Sequence, residues 1–273
     1  GGLERERGNA PATRNLRLAA VRSFARAMAL RDPDHREGYE RLLHVPTKRA
    51  HHDAPDWLEI EDLARVFAQV DPRTPSGFRD LTLLRYAYNT GSRVSELCSV
   101  RVEGLALGDP PGVTIRGKGG RVRYCPLWAT TAEMLRVYLR TERERPRPGH
   151  EEYLFLTRRR GRFGRSGMWK LVRGYLDAVA RERPSLAKKR LVPHSLRHTT
   201  AVHLLQAGVE PNVIKAWLGH ADVATTSQYL DLDLDRKRDA LERFGHLDRL
   251  GLLGTGASVT PLPANLVEWL EKL

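Results

Sequence analysis

A small set of residues in this chain has the types and spacing to act on a phosphate ester. In "TGSRVSEL", Arg93 and Glu96 stand three apart, so a helix beginning there sets the carboxylate against the guanidinium and holds it in place. Lys118 sits at the tip of "RGKGGRVR". In "PHSLRHT", His194 and Arg197 are again three apart and project from one face of a helix start, whose backbone N–H groups suit a phosphate oxygen. The stretch "WLGHADVATTSQYL" places His220 after a glycine and Tyr229 nine residues later. A phenol with a pKa of about 10 is a poor nucleophile at neutral pH unless cations stabilise the phenolate or a base takes its proton. The arginines and histidines elsewhere in the chain could supply both. Taken singly, each feature has an ordinary reading: a solvated ion pair, an exposed turn lysine, a packed tyrosine. His198 and His203 lack an acidic or cysteine partner at matched spacing, so no metal site is expected. His198 reads as a partly buried helix residue and His203 as a polar surface one.

The balance of charge gives these groups a partner. Lys and Arg number 46 against 33 Asp and Glu, a net charge of +13 over 273 residues. Such a surface favours a polyanion, because neutralising phosphates releases their counterions. No apolar run approaches the roughly 20 residues that span a bilayer, and no signal-peptide pattern opens the chain. Two cysteines, Cys98 and Cys125, make no disulfide framework and fit a reducing cytoplasm.

The elements that must position the candidate residues are mostly helical. "ATRNLRLAAVRSFARAMALRD" carries Leu16, Ala20, Val21, Phe24 and Met28 on one stripe, with Arg14, Arg17 and Arg22 among the arginines of a basic outer face. A second short helix around "GYERLLHV" ends at Pro46, and "PTKRAHHDAPDW" reads as a linker. Two helices cannot enclose a core, so residues 1–46 look like the latter half of a small helical domain, joined through 47–56 to a larger one. In that larger domain, "LEIEDLARVFAQV" and "SGFRDLTLLRYAYNTG" show helical periodicity, the second closing on Gly91. "GVTIRGKGGRVRYCPL" changes period: Val113, Ile115, Val122 and Tyr124 alternate with polar residues about a Lys-Gly-Gly turn, a β-hairpin pattern. Helical patterns return at "TTAEMLRVYLR", "GMWKLVRGYLDAVA", "SLRHTTAVHLLQAG" and "PNVIKAWLG", with glycine stops at Gly208 and Gly219 and Pro211 at a first helical position. The fold class expected is mainly α with a small antiparallel β-sheet, an α+β arrangement.

The ordered set "TGSRVSEL", "GKGGR", "HSLRHT", "LGH" and a tyrosine nine residues beyond that histidine resembles the tyrosine recombinases, or phage integrase family. The likeness runs over roughly residues 50 to 245 and is nearest in flavour to Xer-like integrases of transposons and plasmids. The resemblance implies a catalytic domain at 57–250, a partial helical core-binding domain at 1–46 and a tail at 251–273. It implies DNA recombination, integration or transposition, with Tyr229 attacking a phosphodiester to leave a 3′-phosphotyrosyl link and a free 5′-hydroxyl, without metal, nucleotide or other cofactor. Arg93 and Arg197 match the arginines that clasp the non-bridging oxygens. Lys118 matches the lysine that protonates the departing oxygen, and His194 the histidine of proton transfer with the tyrosine. His220 matches a hydrogen-bond donor to the phosphate, and Glu96 a supporting acid.

The implied partner is a double-stranded DNA recombination site, bound by a homotetramer on two such sites at the bacterial nucleoid in the cytoplasm. DNA contacts are expected from Arg14, Arg17 and Arg22 and from the loop bearing Arg158, Arg160, Arg162 and Arg165. The tail stripe Leu266, Trp269, Leu270 and Leu273 docks on a neighbouring subunit or packs on its own. Two other readings stand beside this one: a non-catalytic DNA-binding remnant or regulator at recombination sites, and a type IB topoisomerase.

Overall fold

The structure is a computed structural model that describes residues 10–48 and 56–219, and its contacts divide the chain into two units, Gly1–Ala54 and Pro55–Leu273. In the first unit, helix α1 (Pro11–Ala29) opens with proline in its first turn, where a missing N–H costs nothing. It packs against α2 (Arg36–Leu43), which follows a 3-10 turn at Pro33–His35. The stripe expected to face a core stays largely open, with Leu16 at 74% and Phe24 at 59% exposure. Among the described residues of this unit only Ala25 is fully covered, because two helices offer too little surface to seal a face between them. Phe24 does meet Tyr39 edge to face, with centroids 6.5 Å apart. Arg14 Nη1 donates to the Pro46 carbonyl at 2.7 Å and Arg22 to that of Val45. Asn15 exchanges two hydrogen bonds with the Lys48 backbone, so the chain leaving α2 is laid back along α1.

The second unit is mainly helical with one small sheet. Helix α3 (Ile60–Ala68) buries Leu63, Val66 and Phe67. Helix α4 (Pro75–Thr90) is buried along most of its length, which makes it the central element. Its start is capped by Thr74, whose Oγ1 accepts from Gly77 N–H at 3.0 Å. Its end turns at Gly91, where φ is +57° and an L side chain would be strained. The polar residues of α4 are tied down rather than free. Arg79 pairs with Asp80 at 2.6 Å and reaches the Leu156 carbonyl, while Tyr175 donates to the other Asp80 oxygen. Asn89 links the Pro126 carbonyl and the Trp128 N–H by its side chain, and its own carbonyl accepts from Trp217 Nε1.

After α5 (Val94–Ser99) come three antiparallel strands in sequential order, β1 (Leu105–Ala106), β2 (Gly112–Arg116) and β3 (Val122–Pro126). The hairpin is where the alternation predicts it, and a short first strand joins its edge. The inward phase of β3 differs from the expectation. Val113 pairs with Cys125 and Ile115 with Arg123, so Arg123 and Cys125 share the inner face, while Val122 is exposed and Tyr124 half-buried. A shift of one residue reverses every side chain of a strand, and the buried run from Cys125 to Trp128 sets the phase here.

Helix α6 (Ala129–Val137) runs into a π turn at Tyr138–Glu142. Then follow α7 (Arg165–Glu182), α8 (Pro184–Ala187), α9 (Pro193–Gln206) and α10 (Pro211–Leu218), the last closing on Gly219 at φ +67°. One continuous core includes Leu83, Leu84, Tyr86, Leu135, Leu154, Met168, Leu196 and Trp217, each such side chain worth about 1.5–3 kcal/mol of burial.

His203 is a correction to the surface placement expected of it. It is 2% exposed, and its Nδ1 lies 2.8 Å from the Tyr88 hydroxyl, with Trp57 edge-on at 6.1 Å. On α9 it lies one turn from Thr199, which accepts the Leu58 N–H at 3.0 Å, so this side of α9 is packed rather than open to solvent. His198 is half-buried as expected, Cys98 is half-buried and Cys125 fully buried. Among the described residues, no helix is long and apolar enough to cross a membrane.

Candidate active site

The turn that ends α4 builds the first part of the site. Gly91 reverses the chain, a hydroxyl pair of Thr90 and Ser92 at 2.7 Å braces the turn, and Arg93 becomes the residue that caps α5 with an extended backbone. Glu96 sits in the first turn, where its carboxylate accepts the Arg93 N–H at 2.9 Å and Arg93 Nη1 at 3.0 Å. This is the carboxylate-to-guanidinium clamp expected from the spacing of the two residues. The Glu96 side chain is only 1% exposed, whereas that of Arg93 is 36% exposed and opens to solvent.

A third arginine completes the clamp, and the sequence reading did not find it. Arg123 Nη2 donates to Glu96 Oε2 at 2.9 Å with its side chain 9% exposed. The signal available in the sequence was the alternation of Arg123 with Cys125, hidden because Val122 and Tyr124 looked like the inward pair. Burial works to raise the Glu96 pKa, but the hydrogen bond and charge of Arg123, followed by the bonds from Arg93, outweigh it. The carboxyl therefore lies below its usual value and stays ionised.

Arg197 enters from α9, one turn after Pro193 starts that helix. Its guanidinium is bonded to two carbonyls, Nη1 to Gly91 at 2.7 Å and Nη2 to Leu218 at 2.5 Å. These are the C-terminal ends of α4 and α10, where partial negative charge favours a cation. Burial, then the charges of Arg93 and Arg123, bring its pKa down to about 10 against the pull of Glu96, so it remains protonated at neutral pH. Arg93, Arg123, Arg197 and Glu96 thus form one electrostatic cluster. Three guanidinium groups and one carboxylate leave an excess of positive charge, as an anion site requires.

The remaining candidates fall around this cluster to differing degrees. His194 is exposed in the first turn of α9, its ring edge-on to His198 with centroids 4.7 Å apart. Burial and the charge of Arg197 lower the His198 pKa. Lys118 heads the 3-10 turn Lys118–Gly120 at the hairpin tip, and the position of its side chain lies outside what is described. The preceding Gly117 passes so close to Glu96 that an added Cβ would stand 3.2 Å from Oε1, which brings the hairpin's root to the cluster. His220 and Tyr229 lie outside the described residues. The residue before His220 is Gly219, whose added Cβ would meet Arg123 Cδ at 3.1 Å. Gly219 therefore lies against Arg123 of the cluster.

Of the residues expected to touch DNA, Arg17 is exposed, while Arg14 and Arg22 are half-buried and use donors on the carbonyls of Pro46 and Val45. Arg158, Arg160, Arg162 and Arg165 are all exposed. Their loop is closed by a bridge between Leu156 and Arg162, and Arg162 lies over the Tyr153 ring at 5.4 Å.

The larger unit, mainly helical with a small antiparallel sheet, gathers guanidinium groups from separate elements about one buried carboxylate. The sequence model described as the phage integrase family matches residues 56–236, and the chain belongs to that family. It is 35% identical over 241 residues to the putative integrase/recombinase y4rC of Sinorhizobium fredii, covering 88% of this chain and 71% of that one. It is 32% identical over 244 residues to the tyrosine recombinase XerD of Listeria monocytogenes, covering 88% and 78%. The fold is shared with the transposon Tn1549 integrase solved in complex with circular intermediate DNA, at a TM-score of 0.63 and 16% identity over 85% of this chain and 76% of that one.

Proposed function

We propose that this tyrosine-type site-specific recombinase cuts and rejoins double-stranded DNA through Tyr229. The phenol oxygen attacks the scissile phosphorus, its proton passing to His194. The P–O5′ bond breaks, Lys118 protonates the departing 5′-oxygen, and a 3′-phosphotyrosyl bond remains. Reversal with a different 5′-hydroxyl rejoins the strands, so the bond energy is kept and no ATP is needed. Arg93 and Arg197 stabilise the non-bridging oxygens, His220 donates to them, and Glu96 holds Arg93 in register. An uncatalysed phosphodiester asks for a barrier reduction of about 20 kcal/mol, in the upper part of the enzyme range. Preorganised cations around one phosphate are the kind of group that supplies it. The reaction as written uses only these side chains, with no metal or other cofactor.

The observation that carries this reading is the Glu96-centred cluster, in which Arg93 and Arg197 arrive from α5 and α9 at one place. Residues 57–250 act as the catalytic domain, residues 1–46 as a helical DNA-gripping unit, 47–56 as linker and 251–273 as tail. Arg14, Arg17, Arg22, Arg158, Arg160, Arg162 and Arg165 contact backbone phosphates, and a homotetramer assembles on two DNA sites in the bacterial cytoplasm, at the nucleoid.

The test uses nicked suicide duplexes with randomised arms. The chain should select a subset and become covalently joined to it, seen as a shifted band on a denaturing gel, and sequencing of the trapped DNA identifies the site. Tyr229→Phe should abolish the band. A persistent adduct in that variant would reject the nucleophile assignment, and sequence-selective retention with no adduct from the unaltered chain would favour a binding protein over an enzyme.

A further inference from the structure

We infer that Arg123 is a positioning residue of the active centre, sharing the Glu96 carboxylate with Arg93 and bracing the backbone at Gly219, the residue before His220. The inference rests on the reading of the cluster as the phosphate-binding centre, and it assigns a role to a residue outside the nucleophile, base and phosphate-clasping groups.

Three geometric facts carry it. First, a guanidinium on an inner strand face surrounded by Ile115 and Cys125 needs a reason to be there, since an unpaired buried charge is costly. Its reason is the 2.9 Å bond to Glu96 Oε2, the same oxygen that accepts the Arg93 N–H. The carboxylate is thereby gripped by a strand and by a helix start together, so neither can shift without the other. Second, Arg123 Nε is buried and makes no hydrogen bond among the described residues. The side chain is held by packing and by one strong bond rather than by a full set of acceptors, and a lysine cannot reproduce this planar fit. Third, the aliphatic and guanidinium atoms of Arg123 lie against Gly219, within 3.1 to 3.6 Å of where a Cβ would stand. At the same helix end the Leu218 carbonyl accepts from Arg197. Arg123 and Arg197 therefore fix α10's last turn from two sides, and that turn is the platform from which the chain proceeds to His220.

Electrostatics point the same way. Among the described groups, the charged and titratable ones that face Glu96 are Arg93 from its own helix start, Arg123 from β3, Arg197 from α9 and the Tyr86 phenol from α4. Burial penalises the carboxylate, and among the groups that oppose burial Arg123 is the largest. Without it, Glu96 would take up a proton at higher pH and lose its grip on Arg93.

Two measurements on the full chain test this, one needing no DNA. In protein with 13C-labelled glutamate carboxyls, identified by Glu96→Gln, the Glu96 resonance should titrate at higher pH in Arg123→Met than in the unaltered protein, with Arg123→Lys in between. In single-turnover trapping on the selected suicide duplex, Arg123→Met should slow adduct formation by about 10²-fold, the cost of a small misplacement of reacting groups. The acidic limb of its pH–rate profile should move upward, and Arg123→Lys should restore the limb more than the rate. Unchanged Glu96 titration in Arg123→Met, or in Arg123→Lys should the first variant fail to fold, would overturn the inference. So would a slowed reaction whose acidic limb stays in place in both variants, since packing alone would then explain it. The titration reads Arg123's grip on Glu96 whether or not Tyr229 is the nucleophile, so the two proposals fail separately.

Discussion

Acidification offers a sharp test of how α9 is held, because that helix carries both His194 and Arg197. His203 lies on its inner side, where burial lowers its pKa from 6.5 to about 4, only weakly opposed by the backbone of Leu58. The ring shares a hydrogen bond with the Tyr88 hydroxyl at Nδ1, 2.8 Å away, and Nε2 makes none among the described residues. A protonated ring would place a charge beside the buried Tyr88 ring and the Trp57 ring. The sign follows from proton binding: between pH 6.5 and 4 the unfolded chain holds this proton and the folded one does not. Stability therefore falls as pH drops through that window and levels off below it. A gap of about 2.5 pH units, at about 1.4 kcal/mol per unit, amounts to about 3 kcal/mol. For a unit of this size that is a midpoint shift on the order of 10 °C. Urea unfolding from pH 7.5 to 4, comparing the unaltered chain with His203→Gln, isolates the histidine because Glu59, Glu96 and His198 titrate in both proteins. The difference in unfolding free energy between the two should shrink steadily as pH falls below 6.5. A difference that stays flat across the window would refute the buried, neutral histidine.

Two further substitutions probe the frame and the centre. Asp80→Ala removes the partner of Arg79, both side chains being about one-tenth exposed, and takes an acceptor from Tyr175. Leaving that guanidinium uncompensated should cost about 3–5 kcal/mol in urea unfolding, and a loss below 1 kcal/mol would show that Arg79 finds another partner. Arg197→Lys replaces a planar donor that reaches two helix ends by a point charge that cannot span them. Adduct formation should fall by about 10²–10³-fold while affinity for the selected duplex, measured at fixed salt, changes little; cleavage at the unaltered rate would remove Arg197 from the centre.

How much was legible in the sequence depends on the range of the interaction that decides each feature. Arg93 and Glu96 are one helical turn apart, so their clamp follows from local geometry alone, and the structure shows it. Gly91 and Gly219 mark helix ends because the left-handed turn there favours a residue without Cβ, and both take positive φ. Pro75, Pro193 and Pro211 start helices for the equally local reason that proline fixes φ and lacks a donor. The longer helices of the larger unit and the hairpin between them were readable from local pattern, whereas β1, the turn at Tyr138–Glu142 and the short α8 were not.

Tertiary structure alone decided the rest, because it sets which surfaces meet. Hairpin alternation cannot say which phase of β3 faces inward, and only the packing of Cys125 to Trp128 under α4 turned Arg123 toward Glu96. His203 looked polar and exposed until Tyr88, 115 positions earlier, and Trp57 closed over it. The open stripe of α1 records the converse, an amphipathic pattern that promised burial where its short unit has too little surface to supply it. The sequence by itself determined the residue types, their local spacing and the helices that carry them. The gathering of Arg93, Arg123 and Arg197 around a single carboxylate was settled by long-range packing, since only there do charges from three elements become neighbours.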